Sequence, residues 1–287
     1  MLANPAMAAV QTYRFGESEV TVETQGDVTP AFAKLVDRWI RQSADAVMVY
    51  YGRFPVPQVF IRLQTNGEPG VRGGQTFPGD VPLIRIKAGA STVETDMLKK
   101  DWVLVHEMIH LAFPWMDGRH NWMAEGIAVY VESIARVQAG HLKAAQIWGD
   151  FVKMMPRGLP KDGEGGYEVT VNWGRTYWGG AIFCLLADIA IRQQTDNRFG
   201  LQHALRAINA ERDFRREWDF AETLAIGDKA TGTDVLMRQF ETMRKDPAMT
   251  DLPALWQSLG VTLTANGVSF DDAAPMAATR RAIETPI

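Results

Sequence analysis

The chain has a single cysteine, Cys184, in 287 residues. No intrachain disulfide can form, and neither a disulfide-built scaffold nor a Cys-rich zinc site is available. Cys184 lies in an apolar stretch and reads as a small core residue. Long apolar runs are missing too. The most apolar stretch, 179–191, is interrupted by Asp188 and is too short to span a bilayer, so no integral membrane segment is expected. Charge of one sign is not in excess: 30 Lys and Arg stand against 34 Asp and Glu, a net charge of −4. That balance gives no reason to expect a nucleic acid, an anionic membrane or an acidic substrate as partner. With 46% apolar and 22% charged residues, disorder and collagen-like repeats are excluded. The length suits one large domain or two small ones. Histidine is scarce, with five in the chain, so the positions of the five matter.

The N-terminus reads MLANPAMAAVQ. Ala6-Met7-Ala8 resembles a signal-peptidase site, but the basic region and the long apolar core of a signal peptide are missing. Two readings stay open: the stub of a trimmed export signal on a periplasmic or extracellular protein, or a disordered Ala-rich start on a cytoplasmic one. The sequence leaves the oligomeric state undetermined.

Residues 12–24, rich in Val, Thr, Tyr and Phe, predict strands. Thr29-Pro30 then supplies an N-cap followed by Pro at the first helical position. Phe32, Leu35, Val36, Trp39, Ile40, Val47 and Met48 follow at helical spacing, and Gly52 ends the helix. Pro55 to Leu63 reads as a strand, residues 66–80 as a Gly-rich loop, and Leu83 to Lys87 as a second strand with Ile84 and Ile86 on one face and Arg85 on the other. Beyond residue 92 the periodicity becomes helical. Helices are expected near 95–113, 121–139, 141–155, 176–194, 198–211, 233–244 and 252–259. A Pro- and Gly-rich loop covers 156–175. Val261 to Thr264 and Val268 to Phe270 read as a late hairpin around Ala265-Asn266-Gly267. The Ala-rich tail from Asp271 reads as loosely ordered. Strands first and helices after give an α+β fold class, with an N-terminal α/β lobe over 1–113 and a mainly helical lobe over 114–287.

His106-Glu107-Met108-Ile109-His110 is an H-E-x-x-H sequence, the pattern of zinc peptidases. Helical residues four apart are turned by about 400°, so His106 and His110 share a face one turn apart and can converge on one metal ion. Glu107, beside the first ligand, can take a proton from a water held at the metal. From this composition the pattern arises by chance roughly 0.005 times, which weighs against two unrelated core histidines. A catalytic zinc needs a third protein ligand and leaves its fourth position to water. A third His six residues after the second is excluded, because Met116 stands there. His120, in Gly118-Arg119-His120, reads as a solvated loop residue. Glu125 is the better candidate. Asn121 offers an N-cap for a helix through Ile127, Val129, Tyr130 and Ile134. The neighbours Trp122, Met123, Gly126, Ile127 and Ala128 are apolar or small, so a carboxylate among them needs a partner such as a metal. The alternative is a surface Glu that compensates the helix dipole.

HEMIH followed by WMAEGIAVYVE resembles the gluzincin metallopeptidases, the group of aminopeptidase N, leukotriene hydrolase and the glycyl aminopeptidases. The resemblance covers roughly residues 83–194. It implies a thermolysin-like metallopeptidase core with a small β-rich N-terminal lobe, a helical C-terminal lobe and a cleft between them forming one catalytic unit. It implies one zinc ion per chain on His106, His110 and Glu125, with Glu132, seven residues beyond Glu125, supporting a ligating His from behind; a solvated helix carboxylate is the alternative for Glu132. Its Y-x-K-G segment corresponds to Tyr177-Trp178-Gly179-Gly180, which implies that Tyr177 donates its hydroxyl to a developing oxyanion. A helix-start packing role is the alternative for Tyr177, and Tyr167 is the alternate donor. The sequence departs from the group in three places. Fourteen residues separate His110 from Glu125 where eighteen are usual. Gly179 replaces a Lys. Gly70 to Phe77 contains no Glu where the group carries G-x-M-E-N, so the resemblance does not extend to the residue that holds a substrate's free amino group.

The implied reaction is hydrolysis of a peptide bond in a peptide or protein substrate by a metal-activated water, with Glu107 as general base. Ile84-Arg85-Ile86, taken as an edge strand, would bind an extended peptide by strand addition; a plain core strand is the alternative. Two other functions compete with peptide hydrolysis: a catalytically silent peptide-binding module, and a zinc hydrolase of a non-peptide amide or epoxide.

Overall fold

The computed structural model describes residues 9–26, 28–65, 67–211, 217–247 and 249–287. Ala6-Met7-Ala8, the segment that resembles a signal-peptidase site, lies outside them. The chain is mixed helix and sheet with an N-terminal β-sheet, and it divides into two units, Met1–Ala112 and Phe113–Ile287.

In the first unit, β1 (Ala9–Phe15) and β2 (Ser18–Gln25) form an antiparallel hairpin whose turn needs the positive φ of Gly16. Helix α1 (Pro30–Tyr51) crosses over to β3 (Gln58–Gln64), which runs parallel to β2. The Thr29 side chain accepts from the Phe32 backbone N–H, and Gly52 closes the helix in the left-handed region, as the cap residues predict. β4 (Val71–Phe77) and β5 (Leu83–Ala88) complete a five-stranded sheet of order β1-β2-β3-β5-β4. Strand alternation buries Val20, Val22, Val59, Ile61, Leu63, Ile84 and Ile86, while Arg62, Arg85 and Lys87 stand on the opposite face.

Two sequence expectations fail in this sheet. Residues 66–80 are not all loop, because β4 lies within them. The Leu83–Lys87 segment, and with it Ile84, Arg85 and Ile86, is not an edge: β5 pairs with β3 on one side and β4 on the other. The edge strands are β1 and β4, and β4 is the edge beside β5. A β-bulge between Val71 and Gly74 interrupts its pairing, and Gly73 sits at φ 80°.

The helix expected over 95–113 is broken. A π-helical turn at Thr95–Lys100 stops at Asp101, and α2 (Val103–His110) follows. Asp101 causes the break and starts the new helix. Its carboxylate accepts from the Val103 backbone N–H at 2.9 Å and from Trp39 Nε1 at 2.8 Å, which ties the start of α2 to α1.

The second unit is helical: α3 (Asn121–Gln138), α4 (Ala144–Met154), α5 (Gly180–Gln194), α6 (Leu201–Glu211), α7 (Phe220–Thr231), α8 (Val235–Met243), α9 (Leu252–Leu259) and α10 (Ala277–Glu284), with the hairpin β6 (Val261–Thr264) and β7 (Gly267–Phe270) between the last two helices. Helix α10 replaces the loose tail, and α7 was not anticipated. Asn121 is the first residue of α3 rather than its cap. Asp188 is buried inside α5. It accepts from Arg192 Nε at 2.8 Å, the Tyr130 hydroxyl at 2.9 Å and the Leu201 backbone N–H at 3.0 Å, so it pins α5 to α3 and to the start of α6. Cys184 is buried in the same helix, and burial pushes its thiol pKa up. Among the described residues, no helix is long and apolar enough to cross a membrane.

Candidate metal centre

Helix α2 presents the H-E-x-x-H residues as its spacing requires. The Nε2 atoms of His106 and His110 are 3.2 Å apart and the two rings stand nearly perpendicular. His106 is buried, and the Trp102 ring meets it edge-on at 5.3 Å. Glu107 is buried and leans on β4. The Thr76 hydroxyl lies 2.7 Å from Glu107 Oε2 and 2.9 Å from the Glu107 carbonyl oxygen. Gly74, on the same face of β4, has no room for a side chain: a Cβ there would lie 2.5 Å from Glu107 Cγ. Thr76 and Gly74 pair with Ile84 and Ile86, which places them on the covered side of the sheet facing α2. The sequence reading missed both residues, since a segment rich in glycine carries no strand periodicity.

In the second unit, Glu125 stands in the second turn of α3 and is half-buried. Glu132, two turns further on, is buried and engaged along its own helix by Arg136 Nη1 at 3.2 Å and the Ser133 hydroxyl at 2.8 Å. It is not a solvated helix carboxylate. Tyr177 lies in a π-helical turn, Gly174–Gly179, that leads into α5, and its half-buried ring stacks on Trp173 at 5.8 Å. The Glu125 and Tyr177 turns are held together by a backbone contact. A Cβ on Gly126 would collide with the Gly180 backbone, and one on Gly180 with the Trp122 carbonyl and the Gly126 backbone. Only glycine at both positions lets α3 and α5 meet this closely.

Tyr167 is fully buried. Its hydroxyl donates to the Gly179 carbonyl at 2.7 Å, and burial pushes its pKa up, so it serves the packing of this turn. His120 is not a solvated loop residue. Its ring stacks on Phe220 at 4.1 Å, Nδ1 lies 3.3 Å from Glu168, and burial lowers its pKa.

His106 and His110 in the first unit and Glu125 in the second are side chains of the types that hold a metal ion. The donor set suits zinc, with two imidazoles and a carboxylate leaving a fourth position to water. The histidine spacing suits it as well: two nitrogens on one tetrahedral zinc sit about 3.3 Å apart, close to the 3.2 Å found.

No protein-family model and no curated protein sequence matches this chain. Solved structures do. The fold is similar to that of an aminopeptidase N family protein from Idiomarina loihiensis, with a TM-score of 0.63 at 12% identity, over 93% of this chain and 53% of that one. It is similar to an M1 zinc metallopeptidase from Deinococcus radiodurans, with a TM-score of 0.56 at 14% identity over 86% and 54% of the two chains. A two-domain M1 zinc metallopeptidase mutant bound to L-arginine gives 0.57 at 13% identity over 86% and 54%. At these identities the likeness is one of fold. The chain spans about half the length of the structures it matches.

Proposed function

We propose that this chain is a zinc-dependent peptidase with a gluzincin, thermolysin-like core. The observation that carries the reading is the α2 geometry: two imidazole nitrogens 3.2 Å apart on one helical turn, with the intervening Glu107 carboxylate fixed by Thr76. The fold of the zinc metallopeptidases it resembles supports it.

His106, His110 and Glu125 would hold the ion. When bound, zinc supplies a Lewis acid that brings the pKa of a water towards neutrality. Glu107 accepts a proton from the attacking water and returns it to the leaving amine. Tyr177 donates its hydroxyl to the oxygen on which negative charge develops, and the stacked Trp173 ring restricts where that hydroxyl points. Glu132 orients a ligating histidine. The peptide adds to the free edge of β4 rather than to β5, and runs past the residues that grip Glu107.

The test is metal analysis of protein purified without added zinc, joined to a peptide-library digest. The expected result is about one zinc per chain, lost in His106→Ala and Glu125→Ala and kept in Glu107→Ala, with cleavage abolished in all three. The termini of the cleaved peptides distinguish exo- from endopeptidase action. Protein that carries no zinc at any stage, and whose peptide binding is unchanged by His106→Ala, would be a silent peptide-binding module. Zinc-loaded protein that cleaves no peptide but hydrolyses a non-peptide amide or epoxide would replace the substrate class.

A further inference from the structure

The outer face of the first unit's sheet carries a charge arrangement that neither the peptidase reading nor the core explains. Strand register sets Glu23, Arg62, Arg85 and Gln75 side by side across β2, β3, β5 and β4. One step along the same face, Gln25, Gln64 and Lys87 form a second row. Arg62 and Arg85 are therefore direct cross-strand neighbours, a like-charge pairing that costs stability. The single carboxylate of that row, Glu23, sits on the far side and binds Arg62 Nε at 2.8 Å. Arg72, at the border, is bound by Glu68 at 2.6 Å. Among the described residues, Arg85 and Lys87 form no ion pair, and both are exposed.

The face is also hollow at this point. At the β4 bulge, beside the side-chain-free Gly73, lies a depression of about 480 Å³, lined by Arg62, Arg72, Arg85, Lys87, Gln64 and Gln75 among others. Four cations thus meet two carboxylates in a chain whose overall charge is negative. Two of the cations are pre-positioned. The Arg85 guanidinium carbon lies over the Phe77 ring, 4.5 Å from its centre, and Arg62 is held by Glu23 and lies over Phe60 at 5.7 Å. A guanidinium already held by such contacts loses less freedom when it forms paired hydrogen bonds to an oxyanion.

We propose that this hollow binds a compact oxyanion, the phosphate or carboxylate group of a small ligand. Arg85 and Lys87 are its charged contacts, Arg62 its fixed neighbour, and the Gln64 and Gln75 amides its neutral donors. An anion seated between Arg62 and Arg85 turns their repulsion into two charge-assisted contacts. The site is separate from the H-E-x-x-H residues and stands whether or not the chain is a peptidase.

The test uses the full chain in low salt and titrates inorganic phosphate and, in a second arm, citrate, by calorimetry and by thermal melting. Saturable one-site binding is expected, with a Tm that rises with ligand concentration and an affinity that falls as sodium chloride is added. Phosphate binding tighter than citrate identifies a phosphate-bearing ligand, and the reverse a polycarboxylate. The double variant Arg85→Gln, Lys87→Gln changes two exposed side chains. It should keep the wild-type circular dichroism spectrum and weaken binding at least about tenfold. Arg157→Gln, in the other unit, should leave binding unchanged. Failure of both anions to saturate, or equal affinity in the wild type and the double variant, overturns the proposal.

Discussion

The Thr76 hydroxyl lies 2.7 Å from the Glu107 carboxylate, two residues along β4 from a glycine at which any side chain would collide with Glu107. An edge strand thereby sets the position of the residue proposed as general base. Thr76→Val removes the hydroxyl and keeps the shape. In the peptidase reading, turnover falls about 10- to 100-fold, as expected for a misplaced catalytic group, with zinc content unchanged. Thr76→Ser restores most of it. Steady-state kinetics beside metal analysis checks this, and equal kcat in Thr76→Val and wild type would remove Thr76 from the positioning of Glu107.

Gly126→Ala places a methyl group into the Gly180 backbone. Neither helix can move a flexible side chain aside, so the strain falls on the α3–α5 crossing. A loss of about 1–3 kcal/mol is expected, read from the urea midpoint at constant m-value. Ala124→Gly, two residues away, serves as a control for helix propensity, which costs about 1 kcal/mol.

Acid should weaken the second unit through His120. Burial lowers its pKa below the ordinary value of 6.5, against the opposing pull of Glu168. The unfolded chain therefore binds the proton more readily than the folded one. Stability from this residue is full above about pH 6.5 and declines as pH falls below it. His120→Gln should flatten the decline between about pH 6.5 and 5, measured by urea unfolding at several pH values. An unchanged slope would show that another group governs it; His203, whose pKa burial also lowers, is the next to test.

Asp188→Ala leaves Arg192, 2% exposed, without its carboxylate and frees the Tyr130 hydroxyl and the Leu201 N–H. Removing one partner of a buried pair costs about 3–5 kcal/mol. Replacing both residues by apolar ones, Asp188→Leu with Arg192→Met, should cost less than the single change. Denaturant unfolding of the three proteins decides it.

Much of this architecture was legible in the sequence where one side chain decides the local outcome. Thr29, Pro30 and Gly52 bound α1 as read, and the four-residue spacing of His106 and His110 brings their nitrogens to 3.2 Å. The reading failed where the outcome depends on partners distant in sequence. Alternation in Leu83–Ala88 is the same for an inner strand and an edge strand, and only the pairing of β4 makes it inner. β4 itself was hidden because Gly73 and Gly74 erase the alternation. Asp101 looks like an ordinary helical residue until Trp39, in α1, fixes its carboxylate as a helix start. Helix α10 has an Ala-rich face that acquires its burial only from packing: Ala277, Thr279 and Ile283 are covered. The role of His120 could not be read locally, since Phe220 and Glu168 reach it from other parts of the chain.

The bulge in β4 has a consequence for how the molecule meets copies of itself. An unpaired strand edge invites endless sheet growth, and natural proteins blunt such edges. Here the regular register with β5 runs only from Gly74 to Phe77; before it the strand is twisted out of line by the bulge and by Gly73. The remaining edge is long enough for a short guest segment and too short to template a fibril. In the peptidase reading, the strand edge that would receive a peptide is in this way kept from becoming an aggregation seam.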